Sequence, residues 1–176
     1  MLIDLNDLQK NDTKTVPFIA KDFFQDLNDD FEKCLNEILE KCNFDGYSSA
    51  RFDVKSFDTI INNRKKETEG KGFKAYINTI VALCLMKYLN TYGKFSPRLL
   101  LIDSPILTLK EPQENQASSP MKEGLFWFLL DNQQMGQMII IENELPKNVD
   151  STKANIIEFT RDVNRGRYGF LRGYRD

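Results

Sequence analysis

Leu99-Leu100-Leu101-Ile102-Asp103-Ser104-Pro105 is the stretch on which the fold turns. An unbroken apolar run closed by an aspartate and a turn-forming Ser-Pro pair predicts a buried strand that delivers a carboxylate to its C-terminal end. Functional groups of α/β proteins gather at that edge of the sheet. An aspartate in this position is also common, so its meaning depends on what flanks it.

Outward from the strand the pattern is regular. Upstream, Gly70-Lys71-Gly72 opens a strongly helical segment, residues 73–89, which is apolar on almost every side and predicts a buried helix. Tyr92, Gly93 and Pro97 mark its exit. Downstream, residues 103–118 are rich in Pro, Gln, Glu, Asn and Ser and read as a loop. Ser119-Pro120 then pairs an N-cap hydroxyl with proline at the first helical position, predicting a helix to about Asn132. Residues 137–141 form a second apolar strand, followed by Glu142-Asn143-Glu144 and Pro146. Residues 70–141 therefore read helix-β-α-β, which predicts parallel strands joined by a right-handed crossover.

The flanks are less decisive. Residues 1–16 form a polar lead-in. Over residues 17–42 Phe24, Leu27, Phe31, Cys34, Leu35, Ile38 and Cys42 recur at three- and four-residue steps, one face of a helix of about seven turns. Asp26, Asp29, Asp30, Glu32, Lys33, Glu37, Glu40 and Lys41 occupy the other face. The stripe fits an amphipathic helix packed on its own domain, and equally the end of a coiled-coil arm entering a head. Residues 51–55 and 57–61 predict two short strands that end in a polar stretch, 62–69, and residues 155–159 and 168–171 predict two small strands near the end.

Composition narrows the classes. Of 176 residues 41% are hydrophobic and 28% charged, and the net charge is -2, so global charge gives no argument for binding nucleic acid or membrane. A local patch is present in Arg161, Arg165, Arg167, Arg172 and Arg175, interleaved with Tyr168, Phe170 and Tyr174; it suits either nucleic-acid contact or a solvated edge. The longest apolar run, residues 80–86, is far too short to cross a bilayer, and no signal peptide is apparent, so the expected location is the cytoplasm. Cys34, Cys42 and Cys84 have no C-x-x-C spacing and suit a reducing compartment. Histidine is absent, which excludes Ser-His-Asp and Cys-His chemistry within the chain.

Residues 99–103 resemble the strand of a P-loop ATPase whose terminal aspartate holds magnesium through water. The companion motif G-x-x-x-x-G-K-[ST] is nowhere in these 176 residues. With Gly70-Lys71-Gly72, Asp103-Ser104-Pro105, Ile139-Ile140-Ile141-Glu142-Asn143 and Gly166-Arg167-Tyr168-Gly169-Phe170 in order, residues 18–171 resemble the C-terminal lobe of an ABC-type ATPase. The kind resembled is SMC-like and double-strand-break-repair ATPases, in particular large bacterial coiled-coil ATP-binding proteins. The resemblance implies an α/β fold, the C-terminal half of a P-loop NTPase head with parallel strands and crossover helices. A long amphipathic or coiled-coil-end helix over 17–42 would precede a lobe over 43–176.

The resemblance also implies roles. Asp103 matches the magnesium aspartate, and Gly70, Lys71 and Gly72 match the signature region that meets the γ-phosphate on an opposite subunit. Ser104 stands where most such sites carry a glutamate base, and Asn143 stands where relatives place a switch histidine, with Glu142 before it. A hydroxyl is a poor base, so hydrolysis would be slow or would borrow Glu142, Glu144 or Glu111. ATP and magnesium are implied only together with an N-terminal lobe from another chain or from sequence outside these residues. A homodimer and DNA are the further implied partners, in DNA repair or defence, with no membrane. Two alternatives stay open: a scaffold that keeps the fold without turnover, and an unrelated α/β binding domain in which Asp103 is incidental.

Overall fold

Helix α1 (Lys21–Lys41) buries its apolar stripe on its own domain. Phe31, Cys34, Leu35, Ile38 and Leu39, with Cys42 just beyond, are all buried in the main core, so the packed-helix reading holds for this part of the stripe. The structure, a computed structural model, describes residues 21–53, 55–106, 119–162 and 164–169, with the side chains of 21–27 and 119 excepted. The lead-in over 1–16, the loop residues 107–118 with Glu111, and Phe170, Arg172, Tyr174 and Arg175 lie outside the described residues.

An antiparallel sheet follows, made of β1 (Ala50–Asp53), β2 (Asp58–Ile61) and β3 (Arg64–Lys65), in that order. One expectation is corrected here. Phe57 is not in a strand: it sits in the turn before β2 with φ +52°. Within the polar stretch 62–69, Asn62 and Asn63 both take positive φ (51° and 62°). A two-residue loop of that geometry matches strand twist, and asparagine tolerates it, so Ile61 pairs directly with Arg64. A short 3-10 turn (Lys66–Thr68) completes the stretch.

Polar residues of α1 hold the other edge of β1. Asn36 donates to the Ala50 carbonyl at 2.8 Å and accepts from the Ala50 N–H at 2.9 Å. Glu32 Oε1 accepts from the Phe52 N–H at 2.9 Å. Glu32 therefore does not belong to a purely solvated face; it satisfies an edge strand that would otherwise expose unpaired backbone groups. Lys66 ties the sheet to the next helix, pairing with Asp58 at 2.6 Å and donating to Asn78 at 2.8 Å.

Helix α2 (Lys71–Tyr92) is buried along its first four turns, through Tyr76, Ile77, Ile80, Leu83 and Cys84. The expectation of burial all round fails at its C-terminal end, where Leu85, Leu89 and Tyr92 are exposed. Helix α3 (Ser119–Asp131) starts at the predicted Ser-Pro cap and buries Leu125, Phe126, Phe128 and Leu129. Tyr76 joins the three helices: its hydroxyl donates to the Met121 carbonyl at 2.9 Å and reaches the Cys42 carbonyl at 3.4 Å. Burial raises the Tyr76 pKa, so it stays a neutral donor. Beside it, Gly124 lets α3 lie against the end of α1, because a Cβ there would come within 2.6 Å of the Cys42 carbonyl oxygen.

Strands β4 (Leu99–Asp103) and β5 (Gln137–Ile141) pair in parallel, from Leu99 opposite Gln137 to Asp103 opposite Ile141, with α3 between them in the chain. Leu100, Ile102, Met138 and Ile140 face the helices. The alternate positions are a correction to the buried-strand expectation: Leu99, Leu101, Ile139 and Ile141 are exposed, Leu101 by 62%. Among the described residues only one face of this sheet is covered.

Near the end, β6 (Phe159–Thr160) and β7 (Arg167–Tyr168) form a small parallel pair, shifted from the predicted 155–159 and 168–171. Gly166 (φ +60°) closes the loop between them where a Cβ would meet the Glu158 carbonyl oxygen at 2.8 Å. Local geometry thus accounts for that glycine of the Gly166–Phe170 motif.

Glycine to alanine inside an exposed helix ordinarily stabilises by about 1 kcal/mol. Gly124→Ala is expected to do the opposite, lowering stability by about 1–3 kcal/mol through contact with the Cys42 backbone. Gly70→Ala, whose Cβ meets nothing within 4 Å, should change stability by under about 1 kcal/mol. Urea unfolding of the two variants beside the parent chain checks both.

Candidate functional site

Parallel pairing brings the C-terminal ends of β4 and β5 to one edge, and with them Asp103, Ser104, Glu142 and Asn143. The ladder continues one step past the strands: the Ser104 N–H donates to the Ile141 carbonyl at 2.8 Å. Ser104 takes φ +53°, the left-handed region, although it is neither glycine nor asparagine and precedes a proline. Both features disfavour that conformation, at a cost of about 1–3 kcal/mol. The turn aims the Ser104 hydroxyl at Asp103, donating to Oδ1 at 2.8 Å. Asp103 itself is exposed at the strand end, while Pro105 and Ile106 beyond it are buried.

Glu142 locks the two loops together. Its Oε2 accepts from the Ile106 N–H at 3.1 Å and its Oε1 from the Asn143 N–H at 3.1 Å. Sequence reasoning placed Glu142 at this edge as a candidate base; it did not reveal the clamp. The available signal was a carboxylate following a strand whose neighbouring loop must find partners for its N–H groups.

The opposite ends of the strands are held as firmly. The Gln137 N–H donates to the Arg98 carbonyl at 2.8 Å, and Gly136 (φ +147°) leaves room where a Cβ would meet that oxygen at 2.4 Å. Asn90 of α2 donates to the Met135 carbonyl at 2.6 Å. None of Asn90, Arg98 and Gly136 stood out in the sequence, yet together they set where the carboxylate edge falls.

Gly70, Lys71 and Gly72 stand elsewhere, at the start of α2. Among the described residues no hydrogen bond or ion pair joins them to Asp103, Ser104, Glu142 or Asn143. Gly70 is the N-cap with no side-chain cap, and no acidic residue lies in the first turn, so the helix's own side chains leave its positive end uncompensated. Lys71 is exposed and Gly72 is buried.

Beside the carboxylate edge lies a cavity of about 90 Å³ lined by Ile106, Lys122, Glu142 and residues 143–146. Small-molecule sites usually start near 300 Å³. This cavity is too small for a nucleotide. Among the described residues no group of three or more His, Cys, Asp or Glu side chains is placed to hold a metal. One exposed carboxylate is nonetheless a fitting donor for magnesium, which keeps much of its water and takes one or two carboxylates beside phosphate oxygens.

Replacing the clamp by its amide tests its structural share. Glu142→Gln turns one accepting oxygen into an NH2 facing an N–H, and should cost about 1–3 kcal/mol in urea unfolding.

No family model matches the chain, and no curated protein matches it. Among solved structures it is similar to a chain from structural work on the ATP-driven dimerization and DNA-stimulated activation of SMC ATPases. The TM-score is 0.50 at 16% identity, over 77% of this chain and 78% of that chain. At that identity the likeness speaks to fold alone, and the fold is similar to that of the matched chain.

Proposed function

We propose that this chain is the C-terminal lobe of an SMC-like ABC ATPase head and supplies the magnesium side of its nucleotide site. The observation that carries the reading is Asp103, exposed at the end of a parallel strand and oriented by the Ser104 hydroxyl, in a fold like that of an SMC ATPase. Asp103 would hold magnesium, which when bound neutralises phosphate charge. Ser104 fixes the carboxylate's rotamer. Glu142 keeps the two loops in register so that Asp103 does not swing away. The uncompensated N-terminus of α2, with Lys71 as a point charge, would receive the phosphates of a nucleotide held by a second copy.

The phosphate loop would come from an N-terminal lobe, in another chain or in sequence outside these residues. Leu99, Leu101, Ile139 and Ile141 form the apolar face such a lobe would cover, since parallel sheets are ordinarily buried on both sides. The matched structure comes from work on ATP-driven dimerization and DNA-stimulated activation, and a homodimer acting on DNA in repair or defence belongs to the same proposal. So does a place in the cytoplasm; among the described residues no helix is long and apolar enough to cross a membrane.

One observation favours a slow or non-hydrolytic variant of this reading. The Ser104 hydroxyl is engaged by Asp103, and both Glu142 oxygens already accept backbone N–H groups. Neither Ser104 nor Glu142 is thus left free to take a proton from water, which favours a head that holds ATP longer than it hydrolyses it. Turnover separates the two.

Reconstitution with a lobe bearing G-x-x-x-x-G-K-[ST] tests the assignment. Asp103→Ala should lower magnesium-dependent ATP hydrolysis on the order of 100-fold while far-UV dichroism stays unchanged. Hydrolysis at the parent rate would remove Asp103 from the site.

A further inference from the structure

Phe57 closes the turn between β1 and β2 in a strained conformation. It takes φ +52°, the left-handed region that bulky side chains rarely adopt, and it is 63% exposed. Its ring meets Phe52 edge-on, with centroids 5.1 Å apart and planes at 80°, and Phe52 in turn meets Phe31 of α1 at 4.8 Å. The fold thus accepts strain to hold an aromatic ring open to solvent, fixed to the core at its base. Strain of this kind persists where the surroundings impose it, and it gathers at binding sites.

The same small sheet carries cations without ion-pair partners. Arg51, Ile60 and Lys65 stand opposite one another across the three strands, so the two charged residues lie on one face, about 10 Å apart. Lys55 shares the turn with Phe57, and Arg64 precedes Lys65. All four cations are exposed, and among the described residues no ion pair holds any of them. The acidic residues of the sheet are otherwise engaged. Asp53 accepts from the Ser56 hydroxyl at 2.7 Å and from the Lys55 N–H at 3.1 Å, and Asp58 pairs with Lys66 at 2.6 Å. Residues 50–74 hold seven Lys and Arg against four Asp and Glu, in a chain whose net charge is -2.

We propose that the β1–β3 sheet is a contact site for single-stranded DNA, with a base stacked on Phe57 and the phosphates running along Arg51, Lys55, Arg64 and Lys65. An open ring together with unpaired cations is the combination that holds a single strand without reading its sequence. Duplex DNA fits less well, since its bases are stacked on one another and offer no face to the ring. The proposal deepens the DNA part of the function proposed above and rests on that part alone. Among the described residues no hydrogen bond or ion pair joins these five residues to Asp103, Ser104, Glu142 or Asn143. Binding to DNA is therefore measured without nucleotide or magnesium, and it stands or falls apart from the ATPase assignment.

Fluorescence anisotropy of a labelled oligothymidylate of about 16 nucleotides tests it on the full chain, across a salt series. Binding is expected, tighter than to a duplex of the same length. Phe57→Leu keeps an apolar side chain beside Phe52 but offers no ring, and should weaken binding on the order of 10-fold, whereas Phe57→Tyr should keep it. Arg51→Gln and Lys65→Gln should each lower the slope of log affinity against log salt by about 0.7. Urea unfolding checks that each variant is folded. No binding, a duplex bound equally well, parent affinity in Phe57→Leu, or an unchanged salt slope in both cation variants would each overturn the proposal. If Phe57→Leu fails to fold, the single-strand preference and the two salt slopes decide the matter, since Arg51 and Lys65 are exposed.

Discussion

The parallel ladder between β4 and β5 is the constraint on which the rest of this structure depends. It runs from Leu99–Gln137 to Asp103–Ile141 and continues into the Ser104 N–H bonded to the Ile141 carbonyl. A shift of one residue would turn Ile102 outward and Asp103 inward, because side chains alternate faces. The register is held at both ends, below by Asn90, Arg98 and Gly136 and above by Glu142. The position of one exposed carboxylate is therefore the sum of several backbone contacts made far from it.

The same ladder explains why the site is chemically partial. Parallel strands deliver their loops to one edge, and that edge gathers Asp103, Ser104, Glu142 and Asn143. Hydrogen bonding within the edge then orients Asp103 through Ser104 and immobilises Glu142 between two N–H groups. Under the proposed function, this arrangement suits holding a cation better than moving a proton. On its outer face the sheet presents leucines and isoleucines, the composition of a strand covered on both sides. Under the proposed function, both the carboxylate edge and this apolar face fit a surface covered by a second lobe.

How far the sequence was legible follows local physics. The bounds of β5 and the start of α3 came out as read, since an apolar run between polar residues and a Ser-Pro cap are local signals. The β4–α3–β5 order and parallel pairing followed from alternation of elements. The Asn62-Asn63 turn was hidden in a polar stretch because polarity there serves backbone φ rather than solvation. Gly124 gave no signal, as its need arises from the Cys42 backbone arriving from another helix. Leu99 and Leu101 were read as buried because apolar composition reports what a strand prefers. Glu32 and Glu142 were read by charge, whereas both serve as acceptors for backbone N–H groups that only the tertiary fold brings near. The placement of Asp103 at a parallel-strand edge was legible; its orientation by Ser104 was not.

Calorimetry of magnesium-ATP tests the central claim most directly, with this chain alone and with a phosphate-loop lobe added. No measurable binding is expected of the chain alone, because its described cavity beside Glu142 is about 90 Å³ and G-x-x-x-x-G-K-[ST] is absent from its 176 residues. Binding is expected in the mixture, weakened when Asp103 is replaced by alanine. Sub-micromolar magnesium-ATP binding by the chain alone, or none in the mixture, would contradict the claim.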